Sequence, residues 1–143
     1  WPLTLSRDGT RTPMPWVADA AHCGFSDVKP WLPIGDDHPA LAVDQQEGDE
    51  ASLLSLTRRL VAFRNAQVAL LTGDMRILSA AGDILVFERA SGREHLICAF
   101  NFGDVAQDWT PAQADRWRVI ESVGGAMIGA LPAFSGCVAH RIA

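Results

Sequence analysis

The residues best suited to chemistry in this 143-residue chain lie close to its beginning. Arg7 and Arg11 are four residues apart with the carboxylate of Asp8 between them, and a proline-rich run leads from Arg11 to Trp16. A guanidinium group can hold hydroxyls or a carboxylate in a fixed plane, and an indole ring offers a flat apolar face to a sugar. Because prolines restrict the backbone, the pattern indicates a preorganised binding loop. An ion-pair network of Arg7, Asp8 and Arg11 that only clamps the loop is the alternative.

The other polar clusters predict no catalytic, metal or cofactor site. Asp36, Asp37 and His38 precede a proline, and because adjacent side chains rarely converge on one point, turn chemistry is favoured there. The four histidines lack metal-ligand spacing, and the three cysteines form no CxxC motif. An odd number of thiols favours a reducing compartment, so we expect a cytoplasmic protein, with the periplasm as the alternative.

Composition excludes several classes of protein. The formal net charge is −5, and without a cluster of lysines and arginines the sequence predicts no nucleic-acid partner. We expect no membrane span either, because no apolar run approaches the roughly 18 residues that one needs. The sequence starts at Trp1 rather than at methionine, so we expect a piece of a longer protein.

A long loop and one helix must position the arginine-bearing segment. Residues 1–48 contain six of the eight prolines and little periodicity, which predicts a long loop, and its apolar anchors predict that this loop is ordered. Apolar residues recur every three or four positions from Leu53 to Val68, which predicts a helix over about 50–66. Asp49 is placed to cap its first turn.

From Gly73 onward the apolar period changes to two, which predicts strands. Turn residues such as Ser91 and Gly92 separate the runs and predict hairpins. In the run 96–102 both alternating sets are apolar, so we expect a central strand there. The five predicted strands span residues 75–79, 84–89, 95–101, 116–121 and 136–142. Five or six antiparallel strands in about 70 residues predict a small sandwich.

Several of these segments resemble one known family. The chain is similar, in order along its whole length, to the C-terminal segment of α-glucosidases and oligo-α-1,6-glucosidases of the α-amylase family. The most specific match is Arg7-Asp8-Gly9-Thr10-Arg11-Thr12-Pro13-Met14-Pro15-Trp16, which resembles the signature after the last barrel strand. Further matches are Lys29-Pro30-Trp31-Leu32-Pro33, the helix around 49–64, and the strand segments 85–89 and 99–102.

The resemblance implies an α+β fragment: the long loop and last helix of a (β/α)₈ barrel over 1–72, then an antiparallel β-sandwich over 73–143. It also implies an exo-acting, retaining α-glucosidase whose catalytic carboxylates lie outside this chain, so we expect the fragment alone to be inactive. Arg7 and Arg11 are the candidate substrate-binding residues. Arg7 is expected in the pocket for the terminal glucose, whereas loop support is favoured for Arg11, as for Asp8. The expected partners are an α-glucoside and the remainder of the catalytic domain.

Two other functions fit the same residues. A sucrose isomerase or trehalose synthase-type enzyme has the same type of loop. A non-catalytic carbohydrate-binding or structural β-sandwich would instead need an exposed aromatic platform on the β-domain. Trp117 is expected in its core and Trp109 could be exposed, while Trp16 and Trp31 are expected to be packing anchors rather than sugar platforms.

Overall fold

The computed structural model describes residues 7–142, apart from the side chain of Arg7. The chain divides into two compact units, the first ending at Val61 and the second beginning at Ala62. The described residues contain no helix long and apolar enough to cross a membrane.

The first unit contains the predicted long loop. Three single turns of 3₁₀ helix interrupt it, at Arg7–Thr10, Ala21–Gly24 and Pro39–Leu41. The short helix α1, Val43–Glu47, follows. Small and apolar residues spread along the loop, namely Pro13, Cys23, Leu32 and Ala42, are buried. Their burial accounts for an ordered path without regular structure.

The long helix α2 spans Leu53–Ala66, so it ends where predicted and begins about three residues late. The expected cap, Asp49, accepts the Ala51 N–H at 2.8 Å, in the turn before the helix. The helix is capped instead by Ser52, whose Oγ accepts the Ser55 N–H at 3.1 Å and donates to the Gln46 carbonyl at 2.9 Å. A serine oxygen bonded to the third helical N–H is the usual N-cap geometry.

The second unit begins with the end of α2 and the short helix α3, which is followed by an antiparallel sheet. The regular elements are α3 Val68–Thr72, β1 Asp74–Ala81, β2 Ile84–Ser91, β3 Glu94–Asn101, β4 Trp117–Val123 and β5 Ser135–Arg141. The strand order is β1-β2-β3-β5-β4, with every neighbouring pair antiparallel. All five predicted strands and the central position of β3 are confirmed.

Tight turns join the first three strands. Gly82 and Gly92 adopt φ of +58° and +59°, the left-handed conformation that two-residue hairpins require and that glycine adopts without strain. The pairing of Ser91 with Glu94 closes the second hairpin. The turns predicted at these glycines are therefore confirmed.

The core of the second unit lies on one face of the sheet. Its buried members are Val86, Ile97, Ala99, Ala126, Leu131, Cys137 and Ala139. The layer above them consists of irregular segments joined by two isolated bridges, Gln107 with Leu131 and Met127 with Ala130. The antiparallel β-domain is thus as expected, and in the described residues its second layer is loop rather than regular strand.

Asn101 fastens this irregular layer to the end of β3. Its side chain is 1% exposed, and its amide nitrogen donates to the carbonyls of Val105, Leu131 and Pro132 at 2.8, 3.1 and 3.0 Å. Its Oδ1 accepts the Gly103 N–H at 3.0 Å. A buried amide with all of these bonds holds two loops in one position, because losing any partner would leave a buried polar group unsatisfied.

The opposite face of the sheet contains the alternate residues of β3, including the buried Leu96 and Cys98. The helix α3 packs against β2 and β3, and the Glu94 carboxylate accepts the Ala69 N–H near its start. Further along this face, Phe87, Phe100 and Phe102 stack in sequence, with ring centroids 6.0 and 6.1 Å apart. Phe102 is 62% exposed, so this face ends in an open apolar surface.

Candidate functional site

The arginine-bearing segment begins with a tight turn and then becomes extended. Arg7–Thr10 forms one 3₁₀ turn, which the Arg11 N–H closes by donating to the Asp8 carbonyl at 3.1 Å. The Arg11 side chain is exposed. The side chain of Arg7, the other predicted binding residue, lies outside the described part of the chain. The substrate-binding roles of both arginines therefore stay predictions.

A second turn holds the far end of this segment. The Cys23 carbonyl accepts the N–H groups of Trp16 and Val17, at 2.8 and 3.1 Å. His22 and Cys23 adopt φ of 52° and 51°, followed by Gly24 at 70°. Left-handed conformations are unfavourable for residues with a Cβ, so two in succession imply that the surroundings determine this turn strongly. The sequence did not predict this turn, because Gly24 is its only visible signal.

Asp44 clamps the same segment from the side of α1. One Asp44 oxygen accepts the Ala18 N–H at 3.1 Å and the other lies 3.3 Å from it, while the Asp44 N–H donates to the Trp16 carbonyl at 3.1 Å. The neighbouring Val43 N–H donates to the Pro15 carbonyl, also at 3.1 Å. The sequence gives no local signal for this role of Asp44, because its partners lie more than 25 residues earlier in the chain. These hydrogen bonds fix the backbone conformation around Trp16.

Trp16 and Trp31, the tryptophans of the first unit that the structure describes, are exposed, so their rings are not buried within this unit and their role as packing anchors stays a prediction. Trp16 is 50% exposed and Trp31 is 80% exposed. In the Lys29–Pro33 motif, Leu32 is the buried residue, at 7% exposure. The smaller Cys23 and Leu32 fill the interior of the loop. The indole rings of Trp16 and Trp31 lie at the surface of this unit.

Four carboxylates of the described residues have structural roles. Asp44 and Asp49 accept backbone N–H groups, as does Glu94. Glu88 accepts the Arg76 guanidinium at 2.7 Å and lies 3.4 Å from His95 Nδ1. The hydrogen bond from Arg76 lowers the pKa of Glu88 most, and His95 lowers it further, while partial burial opposes them. Glu88 is therefore a persistent carboxylate anion rather than a proton donor.

No group of three or more potential metal ligands comes together among the described residues. His38 Nδ1 instead accepts the Gly35 N–H at 3.3 Å, so the Asp36–His38 region contains ordinary turn bonding. The three cysteines are free and buried. Burial raises the pKa of Cys98 to about 12 and raises that of Cys137 as well, so both are neutral thiols with no nucleophilic character.

The described β-domain has no tryptophan platform for a sugar. Trp117 packs against the core as predicted, and Trp109, which the sequence allowed to be exposed, packs against the same cluster. The exposed aromatic residues of this unit are Phe102 and Phe134, at 62% and 69%. A binding module that stacks a sugar on an exposed indole is therefore not supported in this unit.

Comparison with known proteins identifies the family. The family model described as the α-amylase catalytic domain matches residues 3–73. A probable α-glucosidase of Rhizobium meliloti (strain 1021) is 45% identical over 106 residues, which are 74% of this chain and 19% of that protein. The chain belongs to the α-amylase family.

Other proteins that resemble this α-amylase-family chain are named as a glucosidase and as glucosyl-transferring enzymes. A probable oligo-1,6-glucosidase 2 of Bacillus subtilis (strain 168) is 31% identical over 70% of this chain and 18% of its own length. The crystal structure of an α-glucosyl transfer enzyme, XgtA, superposes with a TM-score of 0.84 at 31% identity, over 99% of this chain and 27% of that one. The trehalulose synthase MutB from Pseudomonas mesoacidophila MX-45 superposes with a TM-score of 0.80 at 25% identity, over 94% and 26%. The predicted fold class is confirmed, and the chain spans about a fifth of the length of the curated relatives it matches.

Proposed function

We propose that this chain supplies the substrate-recognition loop, the last barrel helix and the β-domain of an exo-acting, retaining α-glucosidase. The barrel part extends over 1–72 and the β-domain over 73–143. The compound cleaved is an oligosaccharide with a terminal α-linked glucose. The relatives named as α-glucosidase and oligo-1,6-glucosidase support this proposal, as does the family model, whose match over residues 3–73 contains the arginine signature.

The single observation that carries the proposal is the backbone clamp on the arginine-bearing segment. Bonds from Cys23 and Asp44 fix the segment around Trp16, directly after Arg7 and Arg11 in the sequence. In a barrel enzyme the active site is built from loops at the carboxyl ends of the strands. A rigid loop of this kind positions donors for glucose hydroxyls far from the cleaved bond, so that the ordering cost is met on folding rather than on binding.

Retaining hydrolysis needs a carboxylate nucleophile and a carboxylic acid roughly 5–5.5 Å apart. The carboxylates described above are instead engaged with backbone N–H groups or with Arg76 and His95. We therefore assign the reacting pair to the remainder of the catalytic domain. The same remainder covers the apolar residues that α2 leaves open, such as Leu53 at 72% exposure and Val61 at 53%.

A transferring or isomerising enzyme is the second candidate, because solved structures named as an α-glucosyl transfer enzyme and a trehalulose synthase share this fold. Both reactions would use the same glucose-recognition loop. Product analysis separates them: the α-glucosidase releases glucose from maltose or isomaltose, whereas the alternatives build new glycosidic bonds. The three free, buried cysteines support a cytoplasmic location for either enzyme.

The experiment that tests the proposal is removal of Arg7 in the complete protein. Arg7→Ala should weaken recognition of the terminal glucose by about 1–3 kcal/mol, because glucose hydroxyls in a closed pocket would lose their partner. The measurement is kcat/KM for maltose and isomaltose, which should fall about 5- to 150-fold. Arg11→Ala should mainly lower thermal stability, because Arg11 supports the loop.

Arg64→Ala is the matched control, since it also removes one guanidinium, from an exposed position in the last turn of α2. Its kcat/KM should equal that of the parent protein. If Arg7→Ala leaves kcat/KM for both disaccharides unchanged, Arg7 has no place in the glucose pocket and the recognition role of the loop is wrong.

A further inference from the structure

One end of the β-sheet contains an open groove of about 680 Å³ that the glucosidase proposal does not use. It lies where β3 begins and β5 ends, entirely within the second unit. Its lining consists of a glycine, an isoleucine and five basic side chains, namely Arg93, His95, Arg116, His140 and Arg141. The groove is therefore a concentration of positive charge on a chain whose net charge is −5.

The strand register brings these five residues together. Arg93 belongs to the two-residue turn between β2 and β3, and His140 in β5 pairs with Leu96 in β3. Arg141 pairs with Trp117 at the start of β4, and the Ile142 N–H donates to the Arg116 carbonyl at 2.8 Å. Arg141 is the last residue of β5, Arg93 lies in a tight hairpin turn and Arg116 directly precedes β4, so the sheet sets the backbone positions of all three.

The arginines of this groove make no ion pair in the described part of the chain. None of the three is ion-paired with a described carboxylate, and no aspartate or glutamate lines the groove. Two carboxylates on the adjoining strands have other partners: Glu94 accepts the Ala69 N–H, and Glu88 is bonded to Arg76. Unpaired guanidinium groups that converge on one concave surface create a positive potential that attracts anions.

We propose that this groove binds a phosphate group, either as free phosphate or as the phosphate of a sugar monoester. A phosphate monoester has a charge of about −1.5 to −2 at neutral pH and three terminal oxygens. Three guanidinium groups can each form a bidentate pair with such oxygens, whereas a carboxylate has only two oxygens to share. The groove is also larger than a phosphate ion needs, which leaves room for an attached hexose, with Ile142 at its wall.

The test is calorimetric titration of the complete protein with inorganic phosphate and with glucose 6-phosphate at constant ionic strength. We expect a dissociation constant of about 1 mM or lower for at least one of the two probes. In a separate series at increasing salt, the affinity should fall, because salt screens the charges. Equal affinities identify free phosphate as the ligand, and an affinity at least tenfold higher for the hexose phosphate identifies the sugar monoester. Absence of binding for both probes at tens of millimolar overturns the proposal.

The variant Arg93→Gln/Arg141→Gln should weaken phosphate binding about tenfold or more, because charge-assisted hydrogen bonds are lost. The single variant Arg141→Lys keeps the charge but not the planar guanidinium group. Its phosphate affinity should lie between that of the double variant and that of the parent protein. Arg64→Gln is the control, as it removes the same charge from α2. If the double variant binds phosphate as tightly as the parent protein, or if Arg64→Gln weakens binding equally, the groove is not a phosphate site. The melting temperature of each variant verifies that it is folded.

Discussion

Single residues fix the backbone of the arginine-bearing segment. Asp44 binds the Ala18 N–H through its carboxylate and the Trp16 carbonyl through its own N–H, so one residue fixes two points of the loop. Its sequence surroundings, a short polar run in a five-residue helix, gave no signal of this role. Long-range contacts between a loop and a side chain depend on the path of the whole chain, which local patterns do not contain.

The exposed tryptophans follow the same principle. Trp16 and Trp31 were expected to be packing anchors because large apolar residues are buried on average, but within the first unit Cys23 and Leu32 are buried while both indoles are exposed. Arg7 and Arg11, in contrast, could be selected as candidates from the sequence, because two guanidinium groups beside prolines form a local pattern. Their roles depend on groups beyond the described residues and stay predictions.

Glu88 is expected to make a pH-dependent contribution to the stability of the folded protein. Its pKa is lowered, so the stabilisation is present above the unfolded carboxyl pKa of about 4.3 and is lost as the pH falls through the folded value. Arg76 is 74% exposed, which screens the pair, so Glu88→Gln should cost only about 0.5–1 kcal/mol at pH 7. Urea unfolding of both proteins at pH 7 and pH 3 measures this difference.

The difference between their free energies of unfolding should shrink as the pH falls from 7 to 3. The control Glu50→Gln removes an exposed carboxylate from the loop before α2 and should have little effect at either pH. A Glu88→Gln penalty that persists undiminished at pH 3 would mean that shape rather than charge stabilises this position.

Among the secondary-structure elements, the strands were predicted most accurately. An apolar period of two and turn glycines at 82 and 92 are local signals, and the strands followed them closely. The start of α2 was misplaced because Ser52 receives support from the Gln46 carbonyl, six residues earlier, and so outcompetes Asp49 as the cap. The short α3 was not predicted, since five residues are too few for a helical period to be visible.

The junction between α3 and the sheet yields a sharp stability prediction. A Cβ on Gly73 would lie 2.6 Å from the carbonyl oxygens of both Ala69 and Ala90, which belong to the backbones of α3 and β2. Backbone atoms cannot move aside as a flexible side chain can, so Gly73→Ala should destabilise the protein by about 1–3 kcal/mol. Thermal or urea unfolding measures the change.

Gly48→Ala is the matched control, because a Cβ there meets nothing within 4 Å and its φ of −89° suits any residue. It should leave the stability unchanged or raise it slightly by restricting the unfolded chain. If Gly73→Ala were as well tolerated as Gly48→Ala, the close approach of α3 to β2 would not be needed for folding.

At the scale of the whole molecule, apolar surfaces stay open in both units. Leu53 on α2 is 72% exposed, and Phe102 and Phe134 in the β-domain are 62% and 69% exposed. Soluble monomers rarely present large contiguous apolar patches. These surfaces support the proposal that the remainder of a catalytic domain covers them.

The most direct test of the central claim compares turnover by the complete protein with turnover by residues 1–143 alone. We predict that the complete protein hydrolyses p-nitrophenyl α-glucoside and releases glucose first as the α-anomer, as a retaining mechanism requires. The 143-residue chain, to which we assign no reacting carboxylate, should give no turnover above background. Hydrolysis by the chain alone, or a complete protein without activity on terminal α-glucosides, would contradict this account.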